Sequence, residues 1–339
     1  MTEKNAEFSF RNVEVMLAPM AGVTDRAMRQ ICGEHGAQYA VTEMVSAKAL
    51  VYEQLGHPSA PVKTADLCRI DPGIPTAVQI FGSEPEHMAE AARLISNSTY
   101  RGFSGVRPAA IDINMGCPVK KIVSSGDGSA LMSDLPLAER IVSAVKEVCA
   151  RHGVLLGVKF RLGKDDSSIN APDFAVGMAK SGADVLTLHC RTRAQMYMPS
   201  ARREYCREVK NALTGSGFSS VTLIGNGDVE SRADAEEYLA LGCDGVAVGR
   251  AALSNPWLFS EIAAPETFVP PSIDERVELI REYITAVVGE MGEVRGIRES
   301  RSRAAYLLHG VRGGAKVRDA LNRAETLTRF LAELERVRG

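Results

Sequence analysis

Ile111-Asp112-Ile113-Asn114-Met115-Gly116-Cys117-Pro118 is the stretch from which this chain is read. An apolar, β-branched run stops abruptly at an amide, a glycine, a thiol and a proline, as when a buried strand delivers reactive side chains to its carboxyl end. A Gly-Cys-Pro turn neither prolongs a strand nor encloses its cysteine in a regular helix, so the thiol of Cys117 is expected on an exposed rim. Free cysteine ordinarily packs as a small hydrophobe, which is the alternative role for Cys117. Its position favours chemistry.

On both sides of that stretch, short β-branched runs alternate with amphipathic helical patterns, which is the signature of a parallel sheet. The runs cover 13–18, 39–41, 76–80, 110–113, 155–160, 185–188, 221–224 and 245–248. Eight of them close a (β/α)8 TIM barrel, whose usual size is about 250 residues. A doubly wound open sheet is disfavoured because no Gly-x-Gly-x-x-Gly follows the first run. After Trp257 the strand pattern ends, and Pro265, Pro270 and Pro271 mark a linker. Helical patterns then cover 273–288, 299–308, 315–322 and 327–337. The expected organisation is a flexible N-terminus at 1–12, a barrel at 13–262, a linker at 263–272 and a small all-α helical bundle at 273–339.

Composition narrows the class. With 339 residues and 45% hydrophobic content, the chain can bury a large core. Its seven cysteines are odd in number and contain no Cys-x-x-Cys pair, which argues against a disulfide framework or zinc and for a reducing compartment. The histidines show no ligand spacing, so no metal is expected. Residues 1–12 lack an apolar signal core, and no run is long enough to span a bilayer, so a soluble cytoplasmic protein is expected, with no membrane partner. The net charge of −2 hides an asymmetry: from Arg295 onward eleven Lys or Arg face five acids, leaving the remainder at −8.

The carboxyl ends of barrel strands converge on one mouth. Read in order, they bring together Pro19, Met20 and Ala21, then Glu43, Gln79, Asn114 with Cys117, Lys159 with Arg161, His189 with Arg191, Asn226-Gly227-Asp228, and Gly249-Arg250. The last two groups follow the seventh and eighth runs, where barrels commonly bind phosphate through backbone N–H groups, so a phosphorylated cofactor is expected. Lys159 on a barrel strand requires a ligand or a partner carboxylate, and Glu43 is the candidate for an ion pair. His189 could equally be a hydrogen-bonded core residue.

These motifs resemble the flavin-dependent tRNA-dihydrouridine synthases. The likeness rests on Ala18-Pro19-Met20-Ala21-Gly22-Val23-Thr24-Asp25, Thr42-Glu43-Met44-Val45-Ser46, Asn114 to Pro118, Val158-Lys159-Phe160-Arg161, His189 to Arg193, and Asn226-Gly227-Asp228. In the tail, Leu321-Asn322-Arg323-Ala324-Glu325-Thr326-Leu327 is similar to the bacterial B-type members. The resemblance implies an FMN across the barrel mouth, NADPH as electron donor, and reduction of uridines in tRNA to 5,6-dihydrouridine. It places Pro19, Met20 and Ala21 against the flavin ring, Gln79 on its pyrimidine edge, Lys159 near N1 and O2, and His189 beside the cofactor. Asn226, Gly227, Asp228, Gly249 and Arg250 would hold the phosphate. Cys117 would protonate uracil C5 as general acid, a thiol being in general mostly protonated at neutral pH. Asn114, Arg161 and Arg191 would bind the substrate. The target base must be flipped out, with the basic tail and barrel rim gripping the tRNA. A monomer is the default expectation.

The sequence departs from the family pattern at Ser124, Ser125 and Asp127 after the cysteine, and at Met196 to Ala201, including Met198, beyond Arg193. In the tail, Arg301-Ser302-Arg303 stands for Arg-Lys-His, and Tyr306 to Gly310, including His309, replaces an aromatic pair and Lys-Gly. These changes are expected where RNA is touched and off the flavin site. Two other classes therefore compete: a flavin oxidoreductase acting on a free pyrimidine, as dihydroorotate dehydrogenases do, and an RNA-binding barrel without turnover.

Overall fold

A computed structural model describes residues 8–58, 64–70, 72–100 and 105–338. The strands are β1 Val15–Leu17, β2 Tyr39–Val41, β3 Val45–Ser46, β4 Thr76–Phe81, β5 Ala110–Met115, β6 Leu155–Arg161, β7 Val185–His189, β8 Thr222–Asn226 and β9 Gly245–Val248. All pairings are parallel, in the order β2-β1-β9-β8-β7-β6-β5-β4, and the β2–β4 pairing closes the ring. The eight-stave barrel is therefore as expected. β3 is an addition: it pairs with β4 at Val45↔Ile80, beyond the β2–β4 pairing, so β2 and β3 form one stave interrupted by Thr42-Glu43-Met44. That interruption takes Glu43 out of the ladder.

The strands read as continuous apolar runs because a parallel barrel is buried on both faces. Val15, Leu17, Val78, Ile80, Ile111, Ile113, Leu156 and Val158 are all fully buried against the helical layer. Of the stretch expected to be flexible at 1–12, residues 1–7 lie outside the described residues. Phe10 is buried in a short 3₁₀ turn, Phe10–Asn12, and packs edge-on against Phe8 and Tyr39, which stack on each other; the ring centroids are 5.0–5.2 Å apart, plugging the amino-terminal end of the barrel.

Beyond the helix Leu258–Ala263, four helices follow: Ile273–Met291, Glu293–Leu307, Gly314–Arg323 and Leu327–Leu334. The first opens with a capping box between Ser272 and Glu275. The second starts six residues before the expected 299, because Gly292 at φ +81° allows the sharp reversal from the preceding helix. Val277, Ile280, Tyr283, Ile284, Ile297 and Leu307 are buried in the same continuous core as the barrel's helices. The tail is thus seated on the barrel rather than hung from it. Among the described residues no helix is long and apolar enough to cross a membrane.

Candidate active site

At the carboxyl ends of the strands lies a cavity of about 420 Å³, lined by every residue the sequence placed at the mouth except Glu43. β5 carries Asn114 to its end, and that side chain builds the turn after it. Its Oδ1 accepts from the amides of Gly116 at 3.1 Å and Cys117 at 2.9 Å, and its Nδ2 donates to Gln79 Oε1 at 2.8 Å. Gln79 Nε2 donates in turn to Asp112 Oδ2 at 2.7 Å. Arg161, on the neighbouring β6, donates from Nε to the Gly116 carbonyl at 2.7 Å and from Nη1 to Thr192 O and Met196 O. Asn114 and Arg161 therefore hold the thiol's turn from both sides. Cys117 is partly exposed, whereas the other six cysteines are buried. A rim thiol is what the Gly-Cys-Pro turn implies.

Lys159 does not pair with Glu43. Its Nζ donates to Asn226 Oδ1 at 2.9 Å, whereas Glu43 accepts the Gly22 amide at 2.5 Å. Burial lowers the Lys159 pKa to about 8, with Arg161 adding repulsion and Asp112 opposing both. The ammonium is thus a titratable cation with a neutral partner. Burial first, and then Arg161, Lys159, Arg191 and Arg250, hold His189 well below the usual imidazole range, so it is neutral.

The ends of β8 and β9 behave differently from a simple phosphate list. Asn226 spends its amide on Lys159 and on the Ala247 carbonyl, at 2.8 Å. The Asp228 carboxylate accepts from Arg191, from the Ala201 amide at 2.9 Å and from Arg250 at 3.1 Å. An anion so placed fixes two arginines at the cavity. Arg191, 2% exposed, also donates to Pro199 O and so holds the 196–201 loop against the cavity wall. Gly227 sits at φ +123°, and a Cβ there would come within 2.9 Å of Ala201. Only glycine brings the backbone past that loop.

Several lining residues were not placed at the mouth by the sequence, among them Met44 and Tyr197. Met44 contacts Asn114 Nδ2 through its sulfur at 3.7 Å, and Tyr197 lies under the Arg250 guanidinium at 5.1 Å. Tyr197 belongs to the segment that departs from the family pattern, so this departure reaches the cavity. Arg303, assigned to an RNA-facing departure, is 4% exposed and donates to Val23 O, so it cannot meet RNA. Ser124, Ser125, Ser302 and His309 are on the surface, and Asp127 is half-buried.

Among the described residues, no cluster of three or more potential ligands forms a metal site. The cavity is cationic, with Lys159, Arg161, Arg191 and Arg250 around it and glycine-bared backbone at the β8 and β9 ends. That donor set fits a phosphorylated, electron-accepting ring.

The family model for dihydrouridine synthase matches residues 16–338. A "Probable tRNA-dihydrouridine synthase" of Rickettsia conorii is 35% identical, with 91% of this chain and 88% of that protein covered. The corresponding protein of Mycobacterium tuberculosis is 33% identical over 96% of this chain and 82% of its own length. A "tRNA-dihydrouridine synthase B" of Xanthomonas axonopodis pv. citri is 35% identical, covering 92% and 89%. A crystal structure of DHODH from Eimeria tenella in complex with ferulenol superposes with a TM-score of 0.50 at 11% identity, covering 79% of this chain and 81% of that one, which shows the shared fold alone.

Proposed function

The chain belongs to the dihydrouridine synthase family, and on that premise we propose that it reduces uridines in tRNA to 5,6-dihydrouridine, with FMN as resident cofactor and NADPH as electron donor. The observation that carries this reading is the meeting, in one cavity, of the rim thiol of Cys117 with Lys159, Arg161, Arg191 and Arg250. Pro19, Met20, Ala21, Lys159 and His189 would line the flavin ring, and Gly227, Gly249 and Arg250 would hold its phosphate. When bound, the flavin supplies the hydride that the protein's own side chains cannot.

The residues of the chain do the rest. Cys117 delivers a proton to uracil C5 from the rim. Arg161, with its guanidinium already fixed on Gly116 O, stabilises negative charge developing on the uracil carbonyls at no cost of reorganisation. Lys159, below pH about 8, presents a cation to the ring from the cavity wall. His189, neutral, offers hydrogen bonds without adding charge. Arg298, Arg312, Lys316 and Arg329 are exposed on the tail and suit an RNA backbone.

Lys159→Met is expected to slow NADPH-driven flavin reduction by about 10², comparable to the loss of one preorganised donor. In the wild type the same step should weaken as pH rises through about 8, where the ammonium is lost. Stopped-flow bleaching of the flavin measures both, and an unchanged rate in the variant would remove Lys159 from the step. For the RNA reading, gel shifts with tRNA should show affinity falling steeply between 50 and 200 mM salt, by about 10³ or more if six phosphates are engaged. A salt-insensitive complex, or efficient reduction of free uridine in place of tRNA, would favour the small-molecule oxidoreductase. Assay of dihydrouridine in tRNA lacking the modification tests the activity directly.

A further inference from the structure

The loop from Met20 to Thr24, which walls the cavity, is clamped on three successive residues by three charged side chains from different parts of the chain. Glu43, in the break between β2 and β3, accepts the Gly22 amide at 2.5 Å. Arg303, from the tail helix Glu293–Leu307, donates through Nη2 to the Val23 carbonyl at 3.0 Å. Arg29, from the helix Arg26–Glu34, donates to the Thr24 carbonyl at 2.6 Å. Met20 and Val23 both face the cavity, so what fixes their backbone fixes the wall.

We propose that Arg303 is a positioning residue of the cofactor site, and that the helical tail is thereby a structural part of the active site. Arg303 is 4% exposed, and such a guanidinium is costly to bury unless it is put to use. It lies 5.9 Å from the Tyr283 ring centroid, and Tyr283, from the preceding tail helix, donates its hydroxyl to Asp25 Oδ2 at 2.8 Å. Asp25 caps the helix that begins just after the loop, accepting the Met28 amide at 2.7 Å. The tail therefore grips this segment twice, at Val23 in the loop and at Asp25 just after it, with one side chain from each of two consecutive helices.

The clamp itself stands on the contacts of the chain, while its consequence for flavin rests on the function proposed above. The test separates the two. Amide exchange is followed by mass spectrometry in the flavin-free full-length protein, and FMN affinity is measured by quenching of flavin fluorescence. Arg303→Met is expected to speed exchange at Gly22, Val23 and Thr24 by about tenfold, the size of one lost charged hydrogen bond, and to weaken FMN by a similar factor. Exchange in β5 to β8 should stay at the wild-type rate. Arg303→Lys, with one donor able to reach Val23, should recover part of both losses.

Unchanged exchange in the loop overturns the clamp, as does acceleration spread evenly through the tail and barrel, which would mark a general loss of packing. Loop exchange that rises while FMN affinity stays at the wild-type value overturns the positioning role. If Arg303→Met does not accumulate, Arg303→Lys decides: wild-type values for both loop exchange and FMN affinity overturn the requirement for the guanidinium, and intermediate values support it. A wild-type protein that binds no FMN overturns the proposed function, with the exchange measurement still judging the clamp.

Discussion

Cys117→Ala should fold, bind flavin and accept electrons from NADPH, yet lose uridine turnover by about 10²–10⁴, the usual worth of a general acid. The turn that presents the thiol is held by backbone groups. Its amide donates to Asn114, and its carbonyl accepts from the Ser129 amide at 3.1 Å and the Ser129 hydroxyl at 2.8 Å. Alanine keeps all three bonds, so the loss should be chemical. A packing role predicts the reverse: a stability cost of about 1 kcal/mol and full activity per folded molecule. Thermal stability, flavin reduction and dihydrouridine formation measured on one preparation separate the two. Because the other six cysteines are buried, a single alkylation of the native wild type by iodoacetamide, absent in the variant, would identify the thiol whose loss is being measured.

Arg191→Met should be the most destabilising single change at the site. The guanidinium is 2% exposed, pairs with Asp228, and donates to Pro199 O at 2.8 Å. Removing it leaves a partly buried carboxylate with Arg250 alone as its charged partner, and Arg250 is itself half exposed. Breaking a buried pair costs about 3–5 kcal/mol, and the surviving contact to Arg250 should bring the loss to about 3. FMN affinity should fall with it, because Asp228 and the 196–201 loop are released together. Arg191→Lys should recover only part, since one ammonium cannot serve Pro199 and Asp228 in the same geometry. Denaturant unfolding with an unchanged slope is the measurement, and a loss below about 1 kcal/mol would show that Arg191 contributes no more than a surface pair.

The barrel was legible because its evidence is local. Eight β-branched runs buried on both faces need no long-range information to be recognised, and each ends in the residues that a barrel gathers at one mouth. The position of Cys117 was legible for the same reason: a Gly-Cys-Pro turn constrains its own backbone. The division of labour among the gathered residues was not. Side chains two residues apart on a strand share a face, but which neighbour each one reaches depends on the register of the next stave, and register is set by ring closure. Asn114 could therefore be placed at the mouth from sequence, while its commitment to Gly116, Cys117 and Gln79 required the structure. The same holds for Asp228, whose commitment to two arginines required the structure. Arg303 shows the limit most clearly. The sequence marks it as one of eleven basic residues in the tail and as a departure expected to face RNA, and only the packing of the tail helices on the helix Arg26–Glu34 turns it inward to the loop at Val23, some 280 residues away along the chain.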